Sequence, residues 1–550
     1  MTDHQPALQQ AFAAQQAGGL DQAERLYRRI LAKSPRNAEA HHGLGLVLRD
    51  RGEAAAARRS LRRAIELNPR AVNACFNLGR LCLAQRDPHE ARIHLESAVA
   101  LKPEWIDARI LLALALTKVQ APALAERLLR ETAMRAPDNP HIGVMIANTL
   151  MLQGRGREAG PFLEDAAKLI PAHPALLLQQ AWCARWNGDF ATATALCRQL
   201  IGLEARNEQA WTTLAMIALE DESAGAAMSI IDQGASHCPS SLDVSQFRAW
   251  ITFLDRGAEE GWACMRAWLH MGAILRGVSL HLPETPSSLA GRDVVIESDQ
   301  GFGDSLHYVR YLPRLVTLGA RVVYVTTPPL KRLLRQSELG ISIAETGSPT
   351  PKRAQHLPEA ALPVLFSASR EALMAPEAYL KASAADVGRW RDRIGDEPGL
   401  RVGVVWAGNP SHFNDCNRSM PVDALRPIVA CPRVRLFSLQ LGPRQGELAA
   451  LAPESVVDLA PDLVDFAETA AVIEALDLVI TVDTSLAHLA GALGRPVWLL
   501  LPRAPDWRWG LEGDQTDLYP SMRLFRQSTP RDWAGVIEQV GDALQTMTMS

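Results

Sequence analysis

The chain reads as two parts of different class, an all-helical repeat array followed by an α/β module of alternating strands and helices. Two observations predict this. Proline recurs at Pro35, Pro69, Pro103, Pro137 and Pro171, every 34 residues, and returns at Pro239 after Ala205 takes one step of the ladder. A fixed period of that size marks stacked supersecondary units. From Arg292 onward, short apolar runs alternate with glycine-bearing loops and helical stretches. That alternation is the pattern of βαβ units, hence of a parallel sheet.

The repeat array comes first. One unit carries Leu44-Gly45, Leu48, Gly52, Ala57, Leu61, Ala64 and Pro69, and the next carries Leu78-Gly79, Cys82, Ala91, Leu95, Ala98 and Pro103. Each unit is two helices joined by a turn. Small residues at the second position of the Leu-Gly pair and at the central alanine let the helices approach closely. Proline ends the second helix because it lacks an N–H and crowds the preceding turn. The pattern resembles the tetratricopeptide repeat over residues 1–240, and such units stack into a solenoid because no pair buries its apolar stripe alone. The implied role is to hold a protein or peptide partner; a spacer or dimerisation arm is the plainer alternative. Residues 241–285 keep a helical spacing without the repeat signature and read as a cap or linker.

Composition narrows the function. The chain has 550 residues, enough for at least two domains, and a net charge of −4. With no dense Lys/Arg run, it offers no general attraction for nucleic acid. Arg58-Arg59 and Arg62-Arg63 fit a solvated helical face. The polar start argues against a secretory signal, and no apolar run is long enough to span a bilayer. The eight cysteines form no C-x-x-C pair, so structural zinc and disulfides are not expected. A reduced, cytoplasmic protein is the expectation.

In the second part, Asp293–Glu297 is a buried-strand run, Ser298–Asp304 a loop with two glycines, and Ser305–Leu318 a helix ending at Gly319. Arg321–Val325 is the next strand. A weakly patterned, Pro-rich stretch over 347–399 reads as a linker inside the module. A second set follows: strands at Arg401–Trp406, Arg435–Leu439, Leu478–Val482 and Val497–Leu501, with helices near Val422–Val429, Phe466–Leu476, Leu486–Leu493 and Trp533–Leu544. The two halves fall at 286–395 and 396–550. Two such halves imply a cleft, and open parallel sheets bind ligands beyond the carboxyl ends of their strands.

The sharpest constellation is Asp483, Thr484, Ser485 and His488. A strand ends at Val482 and a helix begins about three residues later. The free N–H groups and positive dipole end of that helix suit an anion such as a diphosphate, and the two hydroxyls add donors. His488 falls in the first turn, on the side facing a ligand. Simple capping by Asp483 or Thr484 is the structural alternative. A second group lies after Trp406: Asn409 and Arg418 have donors for a phosphate, the latter in a planar fork. Gln440 follows a strand end, near where a nucleoside would lie. The Asp506-Trp507-Arg508-Trp509 run is rich in stacking groups. No D-x-D pair and no His/Cys cluster is present, so metal-independent chemistry is expected.

The run from Asp483 to Pro496, D-T-S-L-A-H-L-A-G-A-L-G-R-P, resembles the nucleotide-sugar motif of glycosyltransferase family 9, the heptosyltransferase-like enzymes. Gly301–His307 resembles that family's N-terminal G-D-x-L-H loop. The W-A-G-N-P loop at 406–410 and the Y-P-S-M-R-L-F-R-Q tail at 519–527 are similar to those of bacterial proteins that fuse tetratricopeptide repeats to such a domain. The resemblance implies two Rossmann-like halves, the GT-B fold, over about residues 290–545. It implies a nucleotide-sugar donor and no other cofactor. By itself Asp304 reads as a helix cap; the resemblance makes it the general base, with His307 the alternative. The family's lysine near 410–420 is missing here, which puts a heptose donor in doubt. Some fused proteins of this design modify flagellar or other surface proteins before export. A non-catalytic adaptor with a degenerate GT-B domain, or a lipid-linked glycan transferase, are the other readings.

Overall fold

The computed structural model describes residues 5–275, 280–367, 378–451 and 455–549. The chain divides into two compact units, Met1–Gln179 and Gln180–Ser550.

The first unit consists of helix pairs, such as Ala38–Asp50 with Ala54–Leu67 and Val72–Ala84 with Pro88–Leu101. Its buried spine is the repeated small and leucine set, including Ala57, Leu61, Leu78, Ala91 and Leu95. The expected close approach is present. A Cβ on Gly45 would lie 2.7 Å from Leu61 Cγ, and one on Gly79 2.5 Å from Leu95 Cγ. Cys75 and Cys82 are buried as free thiols at these contacts. The period also sets caps. Asn37 and Asn139, each two residues past a ladder proline, accept from Ala40 N and His141 N. Asn207 does the same for Ala210 N, although Ala205 stands in place of the proline. Cap chemistry thus outlasts the proline where the ladder skips.

The second unit begins inside the Pro174–Trp186 helix, earlier than the end of the repeat pattern. Its repeat-like helices, Phe190–Leu203, Glu208–Asp221, Ala224–His237, Leu242–Asp255 and Ala258–Leu275, belong with the α/β module. Every residue from Ala210 to Glu220 is buried, so the Glu208–Asp221 helix is covered on all sides. Helix residues Trp262, Met265 and Leu269 share one apolar core with Val294, Ile296 and Tyr324 of the first sheet.

That first sheet contains β1 (Asp293–Glu297), β2 (Arg321–Thr326), β3 (Ser342–Glu345) and β4 (Gln355–Pro358), in the order β3-β2-β1-β4. The second contains β5 (Leu400–Val405), β6 (Val434–Ser438), β7 (Val456–Asp458), β8 (Leu478–Val482), β9 (Val497–Leu501) and β10 (Met522–Arg526), in the order β10-β9-β8-β5-β6-β7. All pairings between these strands are parallel. The second order is the doubly wound one, with its reversal between β5 and β8; the first sheet reverses between β1 and β4.

The 347–399 stretch is not a plain linker. It supplies β4 and the Ala361–Phe366 and Ala384–Ile394 helices. The latter packs on the Phe466–Ala475 helix, where Trp390 Nε1 donates to Glu468 Oε2 at 2.8 Å. Strands β3, β4, β7 and β10, absent from the sequence reading, are the four sheet edges. An edge strand is covered on fewer sides, so it needs no continuous apolar run to betray it.

Candidate functional site

The loops that leave the carboxyl ends of the strands carry the candidate residues. Asp304 lies in the Phe302–Tyr308 helix just after β1, and Glu359 follows β4. Trp406 to Ser419 follows β5, Asp483 to Ser485 follows β8, and Asp506 to Trp509 follows β9.

At the β1/β4 reversal, Glu359 bridges the two loops. Its Oε1 accepts from Gln300 N at 3.1 Å and Ser305 Oγ at 2.9 Å, and its Oε2 accepts from the Tyr324 hydroxyl at 2.6 Å. Fully buried, its carboxyl is pushed up to about 7 by desolvation, which outweighs these donors. Glu359 was missed in the sequence because it sits in the stretch without a pattern.

At the β5/β8 reversal, Arg418 makes the corresponding bridge. Its Nη1 donates to the Asp483 carbonyl at 3.1 Å and its Nε to Asp415 Oδ1 at 3.4 Å. The guanidinium lies over Gly408, where a Cβ would come within 2.5 Å of Nη2. Asn409 is exposed, its Oδ1 accepting from Ser411 N. Thr484 is the N-cap of the Ser485–Ala492 helix, accepting from Leu486 N, and Ser485 is its first residue. Burial, and secondarily the neighbouring Asp506 charge, push the Asp483 carboxyl up to about 6 against the pull of Arg418.

Arg508, in the loop after β9, joins loops of the two sheets. Its Nη2 donates to Asp304 Oδ1 and to the Tyr308 hydroxyl, and its Nη1 donates to Asp506 Oδ1 at 2.9 Å. Arg508 keeps only 8% side-chain exposure, whereas Asp304 keeps 32%. The capping expectation for Asp304 is also met, since Oδ2 accepts from Gly301 N at 3.3 Å. Burial lifts the Asp304 carboxyl above the ordinary aspartate range, and Arg508 opposes that lift. The sequence offered Asp506–Trp509 only as stacking groups; the ion pair depends on contact between residues far apart in the chain.

Three expectations need correction. Gln440 is 2% exposed and its amide is spent within the fold. Oε1 accepts from Trp406 N and Ala407 N, and Nε2 donates to the carbonyls of Ala407 and Leu441. It tethers the β5 and β6 ends and keeps no polar group for a nucleoside. His488 does not face a ligand, because the Ser485–Ala492 helix packs directly on the Phe302–Tyr308 helix. A Cβ on Gly303 would sit 3.0 Å from His488 Cδ2. The His488 ring stacks on Trp509, and its Nδ1 meets the Tyr519 hydroxyl at 2.9 Å. His307 is buried in the same seam at 2% exposure, with Nδ1 3.5 Å from that hydroxyl. Burial first, then nearby arginines, hold both imidazoles well below the usual histidine range, so they are neutral. Arg310 completes the seam, lying 4.7 Å over the Tyr519 ring.

Among the described residues, no group of three or more His, Cys, Asp or Glu side chains is placed to hold a metal, and no helix is long and apolar enough to cross a membrane.

Comparison with known proteins matches part of the repeat array and part of the second sheet's region. Residues 8–58 and 42–104 match the tetratricopeptide repeat, and residues 438–508 match glycosyltransferase family 9 (heptosyltransferase). The matched 71-residue segment runs from the end of β6 to Arg508 and so includes Asp483, Ser485 and His488. Protein FlbA of Caulobacter vibrioides is 24% identical over 467 residues, 79% of this chain and 77% of that protein. Among solved structures, the Pseudomonas aeruginosa pilF protein is 22% identical over 38% of this chain and 96% of its own, with a TM-score of 0.34. The yeast Tom70 is 16% identical over 46% and 55%, with a TM-score of 0.36. The chain therefore joins tetratricopeptide repeats to a region of glycosyltransferase type.

Proposed function

We propose that this protein is a GT-B glycosyltransferase that moves a sugar from a nucleotide-sugar to a hydroxyl of a protein acceptor held by its repeats, in the cytoplasm. One observation supports the site above all: Asp304, from the loop at one sheet's reversal, is paired with Arg508 beside the reversal of the other sheet. A carboxylate from one sheet's loops and an arginine from the other's are thereby held together.

In this reading the donor diphosphate lies at the amino end of the Ser485–Ala492 helix. The Ser485 N–H and hydroxyl, Asn409, Arg418 and Arg508 are its donors. Asp304 takes the proton of the acceptor hydroxyl as that oxygen attacks the anomeric carbon. The new C–O bond forms while the bond to the phosphate breaks, and its electron pair leaves on the diphosphate. Attack from the opposite face inverts the centre. The cations and helix dipole are in place before charge develops on the leaving oxygen, which is how preorganised sites lower a barrier. Gln440, His307 and His488 hold the frame and touch no reactant.

The test is Asp304→Asn. Transfer should fall about 100- to 10,000-fold, the usual worth of a general base, while the melting curve still shows a cooperative folded protein. Normal turnover by that variant overturns the mechanism. Calorimetry of the wild-type protein with nucleoside diphosphates and nucleotide sugars tests the class itself, since an adaptor with a degenerate domain binds none of them.

A further inference from the structure

We infer that the repeat helices of the second unit are part of the transfer site, with Arg185 and Glu220 acting as positioning residues for the loop that carries Arg418. The inference rests on the proposed role of that loop at the donor phosphate.

Arg185 ends the Pro174–Trp186 helix, and Glu220 lies near the end of the Glu208–Asp221 helix. Their side chains are 7% and 1% exposed. Arg185 Nε donates to Glu220 Oε1 at 2.7 Å. Its outer nitrogens also reach the loop: Nη1 donates to the Phe413 carbonyl at 3.1 Å, and Nη2, which pairs with Glu220 Oε1 as well, donates to Asn414 Oδ1 at 2.7 Å. Arg531, from the chain that follows β10, takes the other side. Its Nη2 donates to Glu220 Oε2 at 2.9 Å and its Nη1 to the Cys416 carbonyl. One buried carboxylate therefore carries two arginines, and both arginines reach the same short loop.

Such a cluster is costly to desolvate, and apolar packing alone would join two surfaces at least as tightly. What it adds is geometry. The Phe413–Arg418 segment has little regular structure of its own, one turn of helix at Asp415–Arg418. Its carbonyls at 413 and 416 accept from Arg185 and Arg531, both from outside the loop. The chain of contacts runs from Glu220 through Arg185 to Asn414, then one helical turn to Arg418 and the Asp483 carbonyl. A second brace reaches the other cation. Phe253 of the Leu242–Asp255 helix stacks on Trp507 at 4.2 Å, and the Arg508 guanidinium lies 4.7 Å over that same indole. Phe413 also meets Phe247 and Trp250 of this helix, at 4.9 and 5.6 Å. Both cations assigned to the phosphate thus hang from loops braced by helices of the second unit, one from the repeat and one from the cap that follows it.

The decisive variant is Arg185→Lys in the full chain. Lysine keeps the charge beside Glu220 but lacks the fork that also reaches Phe413 and Asn414. Two readouts apply: hydrogen exchange over residues 406–420, and calorimetric binding of a panel of nucleoside mono- and diphosphates. Arg109→Lys is the control, since Arg109 is a buried arginine paired with Glu131 inside the first unit. We expect Arg185→Lys to speed exchange in 406–420 and to weaken nucleotide binding about tenfold. Arg109→Lys should affect only global stability. Wild-type exchange and affinity in Arg185→Lys, or losses that merely track global unfolding as in the control, overturn the inference. If the wild-type chain binds no nucleotide, the donor-site reading falls, while exchange over 406–420 still decides whether the repeats brace the loop.

Discussion

Arg508 reaches from the loop after β9 to hold Asp304, which follows β1, so the proposed base is tied to a cation of the opposite half. The pair sets the base's proton affinity. Burial raises the Asp304 carboxyl and Arg508 lowers it. Removing the cation must therefore raise it further. Arg508→Gln should move the acid limb of the kcat/KM profile to higher pH, because the base is active only when deprotonated. It should also weaken donor binding. A pH–rate series on wild type and variant checks this; an acid limb that stays in place, or moves down, removes Asp304 from the role of base.

Gly408 is fixed by its neighbour. A methyl group there would press on Arg418 Cζ at 2.8 Å and Nη2 at 2.5 Å. The flexible end of the arginine gives way before the backbone does. Gly408→Ala should leave the melting temperature nearly unchanged and weaken nucleotide binding by about 1.5–3 kcal/mol, the worth of a charge-assisted hydrogen bond. Calorimetry and thermal denaturation on one preparation separate the two effects. Wild-type affinity would show that Arg418 does not hold the donor.

Glu359 makes stability depend on pH. Its folded carboxyl titrates at about 7, above the ordinary glutamate value of 4.5. A group raised in the folded state contributes stability that is complete below its unfolded pKa and lost as pH rises through its folded one. The window is therefore about pH 4.5 to 7, and the loss is on the order of 3 kcal/mol. Glu359→Gln keeps the shape and removes the titration. Urea melts at several pH values should give a flatter curve for the variant over that window, and an identical slope in both proteins would mean Glu359 is charged throughout.

The sequence was most informative where the fold is most constrained. Strands β1, β2, β5, β6, β8 and β9 were legible as apolar runs because they are interior to their sheets. The edge strands were not, since Gln355–Pro358 and Val456–Asp458 carry too few apolar residues to stand out. The strand-end positions of Asp304, Arg418, Asp483, Thr484 and Ser485 were legible because loops that lead from a strand into a helix have a local signature. Gln440 and His488 looked alike as polar groups near strand ends, yet the first is absorbed by backbone bonds and the second by a helix contact at Gly303. Burial of that kind depends on what the rest of the chain places overhead.

By itself, the order of residues determined the periodic helices, the interior strands and the points where each chain segment leaves its sheet. Those are set within a few turns of chain, by spacing and by cap chemistry. The tertiary structure alone decided that Arg508 meets Asp304, that Glu359 and Arg418 bridge the two sheet reversals, and that Arg185 and Glu220 reach the 413–416 loop. Each of these joins residues far apart along the chain, and charge and hydrogen-bond geometry act only once folding has brought them within a few ångströms.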